Sequence, residues 1–162
     1  MTTEHTAAHT AGHAAEHTAR MNFTKAAPKV FQALVDLTMA AKEGLDYTLI
    51  ELVQIRASQL NHCAYCLLMH TTDARKAGES EERINLVSAW HEAPGFFTER
   101  EQAALALTEA VTLLPGGVSD EVYHRAAKHF DDTELAKLIG VIFAINSWNR
   151  IAVTTSKVPG TA

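Results

Sequence analysis

The sequence predicts an all-α protein, a single bundle of six or seven helices, on three observations. Apolar residues recur at spacings of three and four along one segment after another. Capping residues and Gly or Pro breaks separate those segments, and none of them alternates apolar and polar residues as a half-buried strand does. The 162 residues, 47% of them hydrophobic, suit one domain with a core that needs no staples. No Gly-rich phosphate loop and no internal repeat is visible.

Residues 2–20 are mostly Thr, His, Ala and Glu, with His5, His9, His13 and His17 recurring every four positions. This stretch has no apolar h-region, so it is not a signal peptide, and it reads as a low-complexity, disordered tail. If it were helical, its four imidazoles would line one side and could bind a transition metal. The folded domain is expected over 21–155, with a short tail at 156–162, and Met21 is an alternative natural start.

Pro28 stands at a first-turn position and Val30, Phe31, Leu34, Val35 and Leu37 give an apolar face up to about Lys42, closed by Gly44. Asp46 caps a second helix through Leu60, with Ile50, Val53, Ala57 and Leu60 inward and Glu51 at the edge of that face, where it could be solvated, paired with Arg56, or catalytic. A third helix starts with Asn61 as its cap and ends at Gly78. Ser80 caps a fourth, through Ile84, Leu86, Val87 and Trp90 to the break at Pro94-Gly95. Thr98 with Glu101 forms a capping box for a fifth, ended by Pro115-Gly116-Gly117. Ser119 or Asp120 starts a sixth, to about Phe130, and Asp132 or Thr133 a seventh, to about Val153. The seventh is apolar on nearly every side from Ile139 to Ile145 and is expected at the centre of the core or at a subunit contact. Its uninterrupted apolar run is too short for a bilayer.

The chemistry concentrates in Asn61 to His70, NHCAYCLLMH, which holds both cysteines of the chain. On a helix, Cys63, Cys66 and His70 share one face. A cysteine in the first turn meets unpaired backbone N–H groups and the positive end of the macrodipole, which favour a thiolate, and a histidine one turn on is a base. The residues alone leave three readings: a reactive thiol pair, two small buried apolar residues, or part of a zinc site. The last lacks a second ligand pair nearby. The pair suits a reducing compartment, read as cytoplasmic. A net charge of −5 without a basic stripe points to small molecules or proteins as partners, and to neither nucleic acid nor membrane.

The segment from Glu51 through LNHCAYCLLMHTTDARKAGE resembles the AhpD-like alkylhydroperoxidase branch of the carboxymuconolactone decarboxylase superfamily: the Glu-to-Cys spacing, the CxxC and the following His match together. The resemblance extends over roughly 21–153, including SAWHEAPGFFTEREQAALALTEAVTLL and AINSWNRIAV. It implies a helical peroxidase with Cys66 as peroxidatic thiolate, Cys63 as resolving thiol, His70 as proton acceptor and Glu51 orienting the imidazole. It further implies a disulfide cycle reduced by an external thiol such as a dihydrolipoyl protein, and a homo-oligomer, a trimer or hexamer. No flavin, haem or nucleotide motif is visible, so no bound cofactor or metal is expected. Tyr65 departs from the pattern, since well-studied members carry a second relay histidine between the cysteines. A phenol is a poor base at neutral pH, so disulfide exchange without strong peroxidase activity, or redox sensing without turnover, are the alternatives. Branches that decarboxylate a lactone generally do without the CxxC.

Overall fold

The computed structural model describes residues 18–161, so His5, His9, His13 and His17 lie outside the described residues. Among those described there are eight α-helices and no strand: α1 (Phe23–Ala26), α2 (Pro28–Lys42), α3 (Tyr47–Leu60), α4 (Ala64–Lys76), α5 (Glu81–Leu86), α6 (Glu99–Thr112), α7 (Asp120–Ala127) and α8 (Asp132–Thr155). The seven segments read from the sequence are all present. The eighth is the single turn α1, capped by the Asn22 side chain, which accepts from the Lys25 amide.

Three boundaries differ from the expectation, each for a local reason. Asn61 does not cap α4. It ends α3, His62 takes a left-handed conformation (φ 54°), and Cys63 itself becomes the N-cap. The helix expected from Ser80 to Pro94 stops at Leu86 and continues as a 3-10 turn over Val87–Glu92, a change that leaves Trp90 buried with its indole N–H donated to Glu109 at 2.8 Å. The last helix is capped by Asp131, in a reciprocal pair with Glu134, and ends where Ser156 turns left-handed (φ 52°).

α8 is the axis of the bundle. It packs on α2, α3, α4, α6 and α7, with Leu138, Val141, Ile142 and Ile145 buried. By length and composition it could cross a membrane, yet half of its apolar stretch is buried inside the protein, as in the core helix of a bundle. α3 is its closest counterpart: every residue from Leu49 to Ile55 is buried, which takes the carboxylate of Glu51 and the amide of Gln54 inside with the aliphatic side chains.

α2 and α8 cross where Gly140 meets Ala41. A Cβ built on Gly140 would stand 3.0 Å from the Ala41 Cβ, with helix backbone on both sides and little room to yield. Gly140→Val is therefore expected to destabilise the protein by about 1–3 kcal/mol, against the gain a mid-helix Gly replacement ordinarily brings. A urea midpoint equal to wild type would show that the two helices can separate at no cost.

Across the bundle Glu109 of α6 accepts from Arg56 (2.8 Å) and Trp90 and faces His91 at 3.3 Å, tying α6 to α3 and to the 3-10 turn. Burial pushes its carboxyl upward, but the hydrogen bonds from Trp90 and Arg56 and the Arg56 charge outweigh that and hold it below the ordinary value of 4.5. Burial likewise pushes the Glu101 carboxyl upward, and the Arg83 and Thr98 bonds outweigh it and hold the group below its ordinary value. A carboxyl held low in the folded state contributes stability above its unfolded pKa and loses it as pH falls through the folded one. Glu109→Gln should thus cost about 1–2 kcal/mol at pH 7, with the gap to wild type closing toward pH 3. Denaturant midpoints at several pH values test this, and a pH-independent gap would assign the loss to packing instead.

Candidate active site

α3 and α4 run side by side and set one functional residue against another. Glu51 lies in the middle of α3, with 2% of its surface exposed, and His70 in the middle of α4, with 5%. His70 Nδ1 and Glu51 Oε2 are 2.8 Å apart. An ionised carboxylate can only accept, so Nδ1 carries the proton and Nε2 is left as the basic nitrogen. Arg56, on the same helix as Glu51, turns to Glu109 instead, so the pairing of Glu51 with Arg56 considered from spacing does not form.

Cys63 and Cys66 are joined as a disulfide, with Cα atoms 5.4 Å apart, a separation that lets the pair close without moving the backbone. The Cys63 sulfur, at the N-cap, also accepts from the Cys66 amide at 3.3 Å. When the pair is reduced, both sulfurs stand at the positive end of α4, where negative charge is favoured. Both are buried, but only Cys66 lines the large cleft that also reaches His70. The structure thus brings together all four residues singled out from the sequence, Glu51, Cys63, Cys66 and His70, in one region between α3 and α4.

Tyr65 does not join the Glu51–His70 pair. It is half-buried beside the cleft with the Lys157 ammonium 4.2 Å from its ring centre, and among the described residues it makes no hydrogen bond to either member. Tyr47 does lie by Glu51, one turn earlier on α3. Partial burial first, then the Glu51 and Asp73 carboxylates, push its phenol above 10.0, so it stays a proton donor beside that carboxylate. Sequence reasoning passed it over, although its i, i+4 spacing to Glu51 is a signal that could have found it.

Beneath the CxxC turn lies a polar network that spacing does not reveal. The Asn61 amide donates to Ala57 O, to Asn146 Oδ1 and to Asn149 Oδ1, the last two at 2.9 Å. Asn149 donates in turn to Ser58, and Asn146 to Thr112. Asn149 is wholly buried and holds the turn through α8. These bonds fix the left-handed step at His62 that delivers Cys63 to the helix end. Among the described residues no cluster of three or more His, Cys, Asp or Glu is placed to hold a metal.

Comparison with known proteins identifies the family and the fold. Residues 28–110 match the Carboxymuconolactone decarboxylase family. The uncharacterised protein YdfG of Bacillus subtilis (strain 168) is 43% identical over 136 residues, 83% of this chain and 92% of that protein. A solved structure from Agrobacterium tumefaciens, ATU0492, of unknown function and named as a candidate antioxidant defence protein AhpD, superposes with a TM-score of 0.84 at 39% identity, covering 90% of this chain and 100% of that one. The alkylhydroperoxidase AhpD core of a peroxidase-related protein from Ralstonia eutropha JMP134 shares the fold, with a TM-score of 0.73 at 20% identity over 85% of this chain and 74% of that one. The chain belongs to the carboxymuconolactone decarboxylase family, as an AhpD-like member.

Proposed function

We propose that the protein is a thiol-dependent peroxidase of the alkylhydroperoxidase type. One observation carries the reading: a buried Glu51–His70 pair and a helix-end CxxC share a site in which Cys66 and His70 line the same cleft. In the reduced protein His70 Nε2 takes the Cys66 thiol proton, directly or through water, and the Glu51 carboxylate stabilises the imidazolium. The thiolate attacks the peroxide oxygen, the O–O bond breaks, and the leaving oxygen takes the proton as alcohol or water. Cys66 is left as a sulfenic acid. Cys63 then displaces water from it to form the disulfide, so the dithiol loses the two electrons the peroxide gains. An external dithiol restores the pair; a dihydrolipoyl protein is the donor the family suggests. Exposed Val30, Met39 and Phe143 favour assembly as a homo-oligomer.

Tyr65 in place of a second relay histidine favours a second reading, disulfide exchange with little peroxidase turnover. Following thiolate absorbance of the reduced protein against pH, then mixing it with one equivalent of cumene hydroperoxide, separates the two. A Cys66 midpoint below the value of about 8.5 for a free thiol, with loss of two thiols per peroxide, supports the peroxidase. An unreactive pair that still exchanges with small disulfides supports the second reading.

A further inference from the structure

The cleft at Cys66 is larger and more selective in its lining than peroxide alone requires. Its volume is about 870 Å³, within the range of small-molecule sites, and it is walled by α2, α4, α8, the residues around α1 and those following α8. Phe31, Val35, Met69, Trp148 and Ile151 give it an apolar surface. Its charged residues are Lys25, Lys42 and Lys157, with no Asp or Glu, in a chain whose net charge is −5. The ion pairs among the described residues involve none of the three. Lys42 and Lys157 are half-buried, and such lysines without a counter-ion favour an anion.

The second observation is Gln54. It lines the same cleft as Cys66 and His70, only 2% of it is exposed, and its Oε1 has no hydrogen-bond partner. Buried acceptors are nearly always satisfied, so an orphan acceptor on a residue that lines the cleft suits a side chain that turns to meet a donor on a ligand. A hydroperoxide has such a donor, its O–O–H proton.

Taking the peroxidase reading as its basis, we propose that the cleft binds long-chain carboxylic acid hydroperoxides: the apolar chain lies along the cleft, the carboxylate pairs with its lysines, and the hydroperoxyl O–H is donated to Gln54 Oε1 beside Cys66. The reaction balances as above, with Cys66 taking the terminal oxygen, the hydroxy acid leaving and an external dithiol supplying the two electrons.

The test uses the full chain and the hydroperoxide of linoleic acid against that of its methyl ester, in single turnover of the reduced protein at low salt. The acid is expected to react about tenfold faster than the ester, and the ratio to fall to about twofold or less in the Lys42→Met, Lys157→Met double variant. Gln54→Leu should slow both substrates about tenfold without changing the ratio. Equal rates for acid and ester in the wild type overturn the proposal while leaving the peroxidase reading intact. Binding of dodecanoate against dodecan-1-ol to the disulfide form, followed by tryptophan fluorescence, needs no chemistry. Saturable binding of the carboxylate alone supports the proposed ligand class even if no hydroperoxide reacts, an outcome that overturns the peroxidase reading, and absence of binding overturns the proposal.

Discussion

Cys66→Ser is expected to lower peroxide turnover by at least about a thousandfold, because an unactivated hydroxyl at that position is not ionised and cannot attack an O–O bond. Cys63→Ser should fail differently. It retains the sulfur that lines the cleft, so it should consume one equivalent of peroxide and stop, holding a sulfenic acid that no neighbouring thiol resolves. Dimedone trapping with mass spectrometry distinguishes the two, since the adduct should appear on Cys66 in Cys63→Ser and be absent from Cys66→Ser. The asymmetry follows from position. Cys63 is the N-cap with its sulfur turned to the Cys66 amide, whereas Cys66, in the first turn, opens to the cleft shared with His70. An adduct on Cys63 in the Cys66→Ser protein would reverse the roles and oblige peroxide to enter from the other side of the helix end.

How much of this site was legible in the sequence depends on the range of each interaction. Cys63, Cys66 and His70 are separated by three and four residues, so helical geometry alone places them together, and the cap and break residues around α4 locate the helix within a residue or two. The Glu51–His70 bond spans nineteen positions and exists because α3 and α4 pack side by side. No local period encodes that packing, and only the family resemblance suggested it. The cap of α4 was misplaced because Asn61 is a good N-cap by type, yet its amide is drawn instead to Asn146 and Asn149 on α8, partners 85 and 88 residues away. Nothing in the sequence sets Gln54 apart from other polar residues on a helix, and the unpartnered Oε1 is visible only in the packed structure. The seven main helices were readable because each carries its own helical spacing of apolar residues, or in the seventh an apolar run, together with its own punctuation. The break at Leu86 was not, since a tertiary bond from Trp90 to Glu109 overrides a locally acceptable helix.

The proton relay carries the other large effect. His70→Gln is expected to slow the reaction of the reduced protein with peroxide by about 10²–10⁴-fold near pH 7, the usual contribution of a positioned general base. Loss of the imidazolium also removes a positive charge from the thiolate, so the Cys66 titration midpoint should rise toward that of a free thiol. Glu51→Gln should cost about 10²-fold or more although it preserves size and hydrogen bonding, because an amide can present an N–H to Nδ1 and stabilise the tautomer whose Nε2 already holds a proton. Both deficits have a signature that misfolding lacks. As pH rises toward 9 the thiol ionises without help, so rates of the variants should climb toward wild type rather than run parallel to it. Stopped-flow rates from pH 6 to 9 on variants with wild-type melting behaviour decide the matter. Parallel profiles would leave the buried pair, held at 2.8 Å between α3 and α4, as a device that joins two helices and takes no part in the proton transfer.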